Sequence, residues 1–331
     1  MRLDEPGIHL FVGFRGFGLE GELKHLMSEF RPGGIALFRR NIEGRDQIKD
    51  LVADAQKFAR EELGRPILVA IDQEGGTVQR LTPYFTNLPS AQSMAAEGPE
   101  AIAGWARTAA ADLVEIGVHI NFAPVLDVVP KGDHFMHPRS LGSEPAKVAE
   151  LGRVWIRTLQ ENGVSATAKH FPGLGRAALD PHHFTPVIFD DGAEAFRRDL
   201  IPFASAVEAG VHCVMTSHAV YPSIDPDLPA TLSREINTHW LREKLGFGGI
   251  LFSDDLDMAA IGGNFTPEQV LRRGLACGAD FMLLCQKIDN IGQFYRTLAE
   301  LLQQDEPLQR AHKQSVERIE RLFRFHFPGG I

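Results

Sequence analysis

The chain has 331 residues, of which 44% are hydrophobic and 23% charged, a composition ordinary for a soluble globular protein and unlike that of a largely disordered one. The net charge is −9, which argues against nucleic acid or an anionic membrane as the main partner. Because no stretch reaches the roughly 18 apolar residues of a membrane span and the N-terminus lacks the pattern of a signal peptide, we expect a cytoplasmic protein with no membrane partner.

Short apolar, β-rich runs alternate along the chain with longer segments of helical periodicity. The predicted strands are residues 8–14, 34–38, 67–72, 118–124, 164–170, 213–218, 249–254 and 280–284. The predicted helices are residues 20–29, 45–62, 99–116, 144–162, 191–209, 233–245, 267–278, 288–304 and 307–323. Ser233 and Thr266, the latter followed by a proline, are predicted helix N-caps.

The strand runs are hydrophobic throughout, which is typical of strands buried on both faces in a parallel sheet. Eight β/α alternations predict an α/β fold, a (β/α)8 TIM barrel, formed as a single domain over residues 1–331. A doubly wound open sheet is the alternative, and the lack of a glycine-rich phosphate loop in the first unit disfavours its nucleotide-binding form.

Polar side chains gather where the predicted strands end. In chain order these ends carry Asp72, Asp127, Lys169 with His170, Ser217 with His218, and Asp254 with Asp255. In a TIM barrel the carboxyl ends of the strands meet at one mouth, where chemistry is done. Clustered acids and bases cost stability unless they are used, so their joint placement indicates a functional site.

Asp254 follows the apolar run Gly-Gly-Ile-Leu-Phe-Ser and is therefore predicted at the rim of the barrel. A carboxylate there suits attack on an anomeric carbon or binding of a metal, and a helix N-cap is the structural alternative. Asp255 is the better candidate for the cap, because its side chain should point to the opposite face of the strand.

The segment after the fifth predicted strand is long and rich in Pro and Gly, which predicts an extended loop. Within it, Asp180 precedes His182 by two positions. An aspartate can orient an imidazole and stabilise its charged form, so the two make a general acid/base pair suited to neutral pH. A solvated turn with incidental histidines is the alternative.

These blocks, in this order, resemble glycoside hydrolase family 3, and specifically its single-domain bacterial β-N-acetylglucosaminidases. The resemblance covers nearly the whole chain, and its most specific blocks are Lys-His-Phe-Pro-Gly at 169–173 and Ser-Asp-Asp-Leu-Asp-Met at 253–258. It implies a retaining exo-hydrolase that removes terminal β-linked N-acetylglucosamine, with peptidoglycan-derived muropeptides as substrates. It implies neither a cofactor nor a metal.

The resemblance also implies residue roles. Asp254 matches the nucleophile, His182 the acid/base and Asp180 its partner. The implied substrate contacts are Asp72, Arg80, Arg139, Lys169 and His170.

The loop departs from the family pattern at three positions. Leu174 stands where the family has His, Pro181 where it has Ser, and His183 adds a second imidazole beside His182. Arg176, in the same loop, is a candidate contact for an acidic aglycone.

Other functions stay open at this point. A phosphorylase would use phosphate in place of water on the same glycosyl-enzyme, and a β-glucosidase would act on a different sugar. A metal-dependent barrel hydrolase would draw its ligands from His170, His182, His183, His218 and Asp254. A non-catalytic sugar-binding protein is the last alternative.

The expected partner is a small carbohydrate, and a monomer is favoured. Cys213, Cys277 and Cys285 are odd in number and show no paired spacing, which predicts free thiols in a reducing compartment.

Overall fold

The fold is given by a computed structural model that describes residues 3–132, 134–177, 186–188 and 192–329. Within these residues eight strands close into a barrel in which each strand pairs in parallel with its neighbour in the chain, and β8 pairs with β1. The strands are β1 Leu10–Val12, β2 Gly34–Leu37, β3 Leu68–Ile71, β4 Ile120–Asn121, β5 Ser165–Phe171, β6 Cys213–Thr216, β7 Ile250–Asp255 and β8 Phe281–Leu284. The predicted (β/α)8 barrel is therefore confirmed.

The helices surround the barrel. They are α1 Glu22–Phe30, α2 Arg45–Phe58, α3 Ala91–Glu97, α4 Pro99–Glu115, α5 Pro145–Glu161, α6 Gly192–Glu208, α7 Ala259–Gly262, α8 Pro267–Ala276, α9 Ile288–Gln304 and α10 Glu306–His326, with a π-helix at Glu235–Lys244. Of the helices in the described part of the chain, none has both the length and the apolar character needed to cross a membrane.

Local signals set some of these boundaries as predicted. The Thr266 hydroxyl accepts the N–H of Gln269, whose side chain accepts the N–H of Thr266 in return, so the predicted N-cap of α8 is a full capping box. Ser233 likewise accepts the N–H of Ile236 at 3.2 Å, although the helix that follows is π-helical.

Elsewhere the elements differ from those predicted. The first predicted strand begins instead with a 3-10 turn at Pro6–His9, and α3 was not predicted. The fourth strand ends at Asn121, close to Pro124, which cannot donate to a sheet ladder. Beyond the proline, Val125 pairs with Lys169 of β5 through a single isolated β-bridge.

Aromatic side chains fill the barrel interior. Phe11 packs edge-on against Phe252 and Phe281 with ring centroids 5.3 and 5.4 Å apart, and Phe122 packs against Phe252 at 5.3 Å. Phe323 of α10 joins the same buried cluster from the amino-terminal end of the barrel. Alternate strand residues face the helices in a second cluster, as the two-residue period of a strand requires.

The cysteines are structural. In the described structure Cys213, Cys277 and Cys285 are buried free thiols, and Cys213 and Cys285 belong to the interior cluster. Burial raises the pKa of Cys277 to about 11, so this thiol stays protonated and unreactive at neutral pH.

A histidine cluster lies at the amino-terminal end of the barrel. The Ser165 hydroxyl is 2.8 Å from His212 Nδ1 and 2.8 Å from His326 Nε2, and the ring of His119 is 5.2 Å from that of His326. Burial lowers the pKa of His119 to about 4 and that of His326 to about 2. These imidazoles are therefore neutral at physiological pH, and they attach the end of α10 to the barrel.

Candidate active site

A cavity of about 600 Å³ opens at the carboxyl ends of the strands, within the usual size range of small-molecule sites. Its polar lining comprises Asp72, Arg80, Arg139, Lys169, His170, Asp254, Asp255, Asp257, Gln286 and Lys287. All six predicted site residues in the described chain, those other than Asp180 and His182, therefore meet at one place. Among the described residues, no group of three or more His, Cys, Asp or Glu side chains is arranged to hold a metal ion.

Lys169 joins two carboxylates at one side of this cavity. Its Nζ lies 2.8 Å from Asp72 Oδ1 and 2.7 Å from Glu74 Oε1. Arg80 Nη2 adds a contact to Asp72 Oδ2 at 3.1 Å, and the ring of Phe38 lies against the Arg80 guanidinium. Burial opposes ionisation of Asp72, but Lys169 and Arg80 hold its pKa well below the usual range.

Arg139 completes this network through Glu74. Its Nε and Nη2 donate to the two carboxylate oxygens of Glu74, each at 2.8 Å, a bidentate geometry that fixes the guanidinium plane. Burial works against the charge on Glu74, yet Arg139 and Lys169 lower its pKa to about 2. Asp72, Glu74, Arg139 and Lys169 are therefore charged and held in place at neutral pH, ready to bind polar groups of a ligand.

His170 is oriented by Asp127, which is fully buried. Its Nδ1 donates to Asp127 Oδ2 at 2.7 Å, and its backbone N–H reaches Asp127 Oδ1 at 3.2 Å. The same Oδ1 also accepts the N–H of Leu174. Because Nδ1 is engaged, Nε2 is the ring atom left for the cavity, and one carboxylate fixes both the ring and the turn that follows β5.

Asp254 stands at the penultimate position of β7, and its Oδ1 accepts the N–H of Asp255 at 2.8 Å. Burial would raise the pKa of this carboxyl, but the imidazoles of His218 and His170 hold it below its usual value. Asp254 is therefore ionised at neutral pH, as a nucleophile must be.

Both ring nitrogens of His218 form hydrogen bonds. Its Nε2 lies 2.9 Å from the carbonyl oxygen of Asp255, which can only accept. Its Nδ1 lies 2.6 Å from Thr231 Oγ1, whose hydroxyl donates to the Ser217 carbonyl at 2.9 Å. Nε2 therefore carries a proton, and the ring is held between the end of β7 and Thr231.

Asp255 has a different environment from Asp254. Its Oδ1 accepts the N–H groups of Asp257 and Cys285, each at 3.2 Å. Burial, with the nearby Asp257 carboxylate, raises its pKa to about 7. The prediction that Asp255 caps the next helix is wrong, because α7 begins after Met258 and Asp255 bonds instead to Asp257 and to Cys285, which follows β8.

Two predicted catalytic residues, Asp180 and His182, lie outside the described residues, as do Pro181 and His183. Leu174 is described and lines the cavity. Arg176 donates to Asp199 at 2.8 Å and is not part of the cavity lining. The structure therefore does not support the suggestion that Arg176 meets an acidic aglycone.

The sequence of the chain matches the glycosyl hydrolase family 3 N terminal domain over residues 12–322. The chain belongs to glycosyl hydrolase family 3. It is accordingly a glycoside hydrolase, and the family's barrel is the fold described above.

Curated relatives of this family 3 chain share about a third of its residues. It is 35% identical over 323 residues to a beta-hexosaminidase of Actinobacillus succinogenes, covering 94% of this chain and 89% of the relative. It is 34% identical over 300 residues to a beta-hexosaminidase of Alkalilimnicola ehrlichii, covering 88% and 84%.

Solved structures of the family superpose closely. A β-N-acetylglucosaminidase from Paenibacillus sp. str. FPU-7 is 32% identical with a TM-score of 0.93; the match covers 100% of this chain and 64% of that one, so this chain spans less than two thirds of that protein. A β-N-acetylhexosaminidase from Beutenbergia cavernae is 29% identical with a TM-score of 0.91, and 98% of each chain is covered.

Sequence reasoning missed the roles of Glu74 and Lys287. Glu74 stands two positions after Asp72, in the run Asp-Gln-Glu-Gly-Gly at 72–76, and an acid so close to a predicted site acid was the available signal. Lys287 follows β8, a strand end to which no site residue was assigned. Asp127 and His218 were noted at strand ends but given no role in orienting other groups.

Proposed function

We propose that this chain is a retaining, exo-acting β-N-acetylglucosaminidase with Asp254 as its nucleophile. The observation that carries the proposal is an ionised carboxylate at the end of β7, in a cavity of about 600 Å³. The names of the curated relatives and of the structural neighbours supply the sugar.

In the first step Asp254 attacks the anomeric carbon, and the bond from that carbon to the leaving-group oxygen breaks. His182 gives its proton to that oxygen, and Asp180 stabilises the imidazolium beforehand. The product is a covalent glycosyl-enzyme. In the second step His182 takes a proton from water, which attacks the same carbon and frees Asp254. Two displacements leave the anomeric configuration unchanged.

Sugar recognition falls to the network around Lys169. Asp72, with the Lys169 and His170 pair, is placed to bind sugar hydroxyls, and Arg80 and Arg139 flank it. Because these charges are already paired, they offer fixed donors and acceptors without reorganising when the sugar arrives.

The test is hydrolysis of an aryl β-N-acetylglucosaminide by wild-type enzyme and Asp254→Asn, with Asp227→Asn as a control at an exposed aspartate. We expect the first variant to lose turnover by about 10³-fold or more, since the nucleophile is removed, and the control to match wild type. A fluorinated N-acetylglucosaminyl fluoride should label Asp254, as read by mass spectrometry of the peptides. Full activity in Asp254→Asn would overturn the proposal.

Proton NMR during turnover tests the stereochemistry, and β-anomer must form first. The same assay run in phosphate buffer separates hydrolysis from phosphorolysis, because a phosphorylase would release sugar 1-phosphate. A β-glucoside in parallel tests the requirement for the N-acetyl group.

For the natural substrate we propose muropeptide fragments of peptidoglycan, processed in the cytoplasm. Such fragments carry acidic groups. Among the Lys and Arg side chains of the described cavity lining, Lys287 alone forms no ion pair and is available to bind them. Release of N-acetylglucosamine from purified muropeptides, followed by mass spectrometry, tests this assignment apart from the aryl substrate.

A further inference from the structure

The loop that carries Arg139 contacts its surroundings at both Arg139 and His134. Arg139 binds Glu74, and His134 binds the turn that follows β5. The Nε2 of His134 lies 2.9 Å from the carbonyl oxygen of Ala177, and its Nδ1 lies 3.2 Å from the backbone nitrogen of Met136. Because the Met136 N–H can only donate, Nδ1 is the acceptor and the ring proton lies on Nε2. The backbone thus selects the tautomer that donates to Ala177.

Ala177 ends a turn that is held at several points. Leu174 N–H bonds to Asp127, and the Tyr221 hydroxyl donates to the Gly173 carbonyl at 2.8 Å. Gly175 packs so closely on Val128 that a Cβ there would lie 2.2 Å from the Val128 carbonyl oxygen. The backbone from β5 to Ala177 is therefore anchored, and His134 provides its last described contact.

The far end of the same connection is anchored as well. Ile188 N–H bonds to the Val220 carbonyl, and Val220 N–H bonds to the Pro186 carbonyl, both at 2.9 Å. Residues 178–185, which include Asp180 and His182, thus connect two fixed ends. Asp180 follows Ala177 by three positions and His182 by five, so the contact made by His134 sets where this segment starts.

We propose that His134 is a positioning residue for the reaction, which holds the Ala177 carbonyl and so fixes the start of the segment that carries the acid/base. It acts on the backbone and not on the substrate. Its neighbour Phe135 stacks on it with ring centroids 4.6 Å apart and lines the cavity, so the same pair of rings joins the cavity rim to the start of the segment. The inference rests on the proposed function, with His182 as the acid/base.

The proposal predicts an effect that depends on the leaving group. A sugar alcohol leaves only if it is protonated, whereas a dinitrophenolate leaves without help. A misplaced acid/base therefore slows the first step for a disaccharide much more than for a dinitrophenyl glycoside. A general loss of structure would slow both alike.

Two amide substitutions separate the contacts of His134. In His134→Gln the side-chain amide has the reach to donate to Ala177 in place of Nε2. In His134→Asn the shorter amide can accept the Met136 N–H in place of Nδ1 but falls short of Ala177. His137→Ala removes an imidazole from the same loop, one that is 6.3 Å from His134 between ring centroids and is not part of the cavity lining.

The measurement is kcat/KM on N,N′-diacetylchitobiose and on dinitrophenyl β-N-acetylglucosaminide, with thermal melts to confirm folding. For His134→Asn and His134→Ala we expect a loss of about 10-fold or more on the disaccharide and less than about 3-fold on the aryl glycoside, a fraction of the full effect of an acid catalyst. His134→Gln should stay within about 3-fold of wild type on both, since it keeps the bond. His137→Ala should change both substrates equally.

Equal losses on the two substrates, failure of His134→Gln to restore the disaccharide rate, or no effect of either short variant would overturn the inference. If His134→Ala does not fold, the Asn and Gln pair gives the same comparison. A wild-type enzyme that is inert on both substrates would overturn the proposed function and this inference with it, whereas an active wild type with equal losses overturns the inference alone.

Discussion

Lys169 and Glu74 form an ion pair in which both side chains are buried, with Nζ 2.7 Å from Oε1 and each side chain 3% exposed. Removing one member of such a pair leaves the other charged and without compensation, which costs about 3–5 kcal/mol. Because Asp72 still contacts Lys169, we expect Glu74→Gln to lower the free energy of unfolding by about 3 kcal/mol, at the lower end of that range.

Urea denaturation at neutral pH measures this change, with Glu317→Gln at an exposed position of α10 as the matched control. The control should lie within about 0.5 kcal/mol of wild type. Glu74→Gln should also lower kcat/KM, because Arg139 loses its bidentate partner. A variant as stable as wild type would show that the pair does not stabilise the fold.

The same carboxylate predicts a pH dependence of stability. The pKa of Glu74 is about 2 in the folded protein and near 4.5 as a free side chain. The unfolded chain therefore binds the proton more tightly, so the stability from Glu74 is present above about pH 4.5 and is lost as the pH falls towards 2. Urea midpoints across this range should fall less steeply in Glu74→Gln than in wild type, and parallel curves would contradict the assignment.

From the histidine cluster at the amino-terminal end we expect a second loss of stability on acidification, which begins at a less acidic pH than the loss due to Glu74. The pKa values of His119 and His326 are lowered to about 4 and about 2, from 6.5. Because the folded protein disfavours these protons, its stability is highest above about pH 6.5 and falls as the pH drops towards 4.

His326→Asn removes one member of this cluster and should flatten the pH dependence between 6.5 and 4. Hydrogen exchange should also show that the last turn of α10 opens as wild type is acidified. His239→Asn, at a half-buried histidine outside this cluster, is the control and should leave the curve unchanged. An unaltered slope in His326→Asn would show that the cluster does not govern acid stability.

We expect a substitution of Asp127 to lower activity, although this residue orients His170 and does not itself line the cavity. Asp127→Asn keeps the size of the side chain and one acceptor oxygen, but it replaces the oxygen that faces His170 Nδ1 by an amide that donates. We expect kcat/KM on the aryl N-acetylglucosaminide to fall by about 10- to 100-fold, as is typical when the partner that orients a functional histidine is lost.

The crystal structure of that variant should show the ring of His170 turned or shifted. Asp225→Asn, at a carboxylate that is not part of the cavity lining and that also accepts backbone N–H groups, is a matched control for the loss of such a carboxylate. Unchanged kinetics in Asp127→Asn would show that the orientation of His170 by Asp127 does not contribute to substrate binding.

Lys287 predicts a preference for anionic aglycones. It is exposed and lines the cavity, so its attraction for a carboxylate is screened by solvent. We expect Lys287→Ala to lower kcat/KM about 3-fold for a muropeptide, matching a surface pair of under 1 kcal/mol, and to leave a neutral aryl glycoside unchanged. The difference should vanish in high salt.

Lys313→Ala, at an exposed lysine of α10, should alter neither substrate. If Lys287→Ala slows both substrates equally, the side chain has a structural role and not one in specificity.

The barrel and much of its site were predictable because they depend on local pattern. Eight apolar runs with helices between them predicted the strand order, and Asp72, Lys169 and Asp254 do lie at one cavity because strand ends converge in any such barrel. The N-cap at Thr266 was also predictable, because its capping box involves only residues 266 and 269. A helix was predicted at residues 233–245, but its π-helical form and the early end of β4 were not, since both depend on packing.

What only the tertiary structure decided is which groups pair. Glu74 and Arg139 are 65 residues apart in the sequence, and Asp127 and His170 are 43 apart. Neither pair could therefore be predicted from the spacing of residues along the chain. These contacts exist because barrel closure brings neighbouring strand ends together, where burial makes an unpaired charge costly. The sequence by itself determined which chemical groups reach the mouth of the barrel. The fold determined which of them are held charged, which are oriented, and which are left to face a substrate.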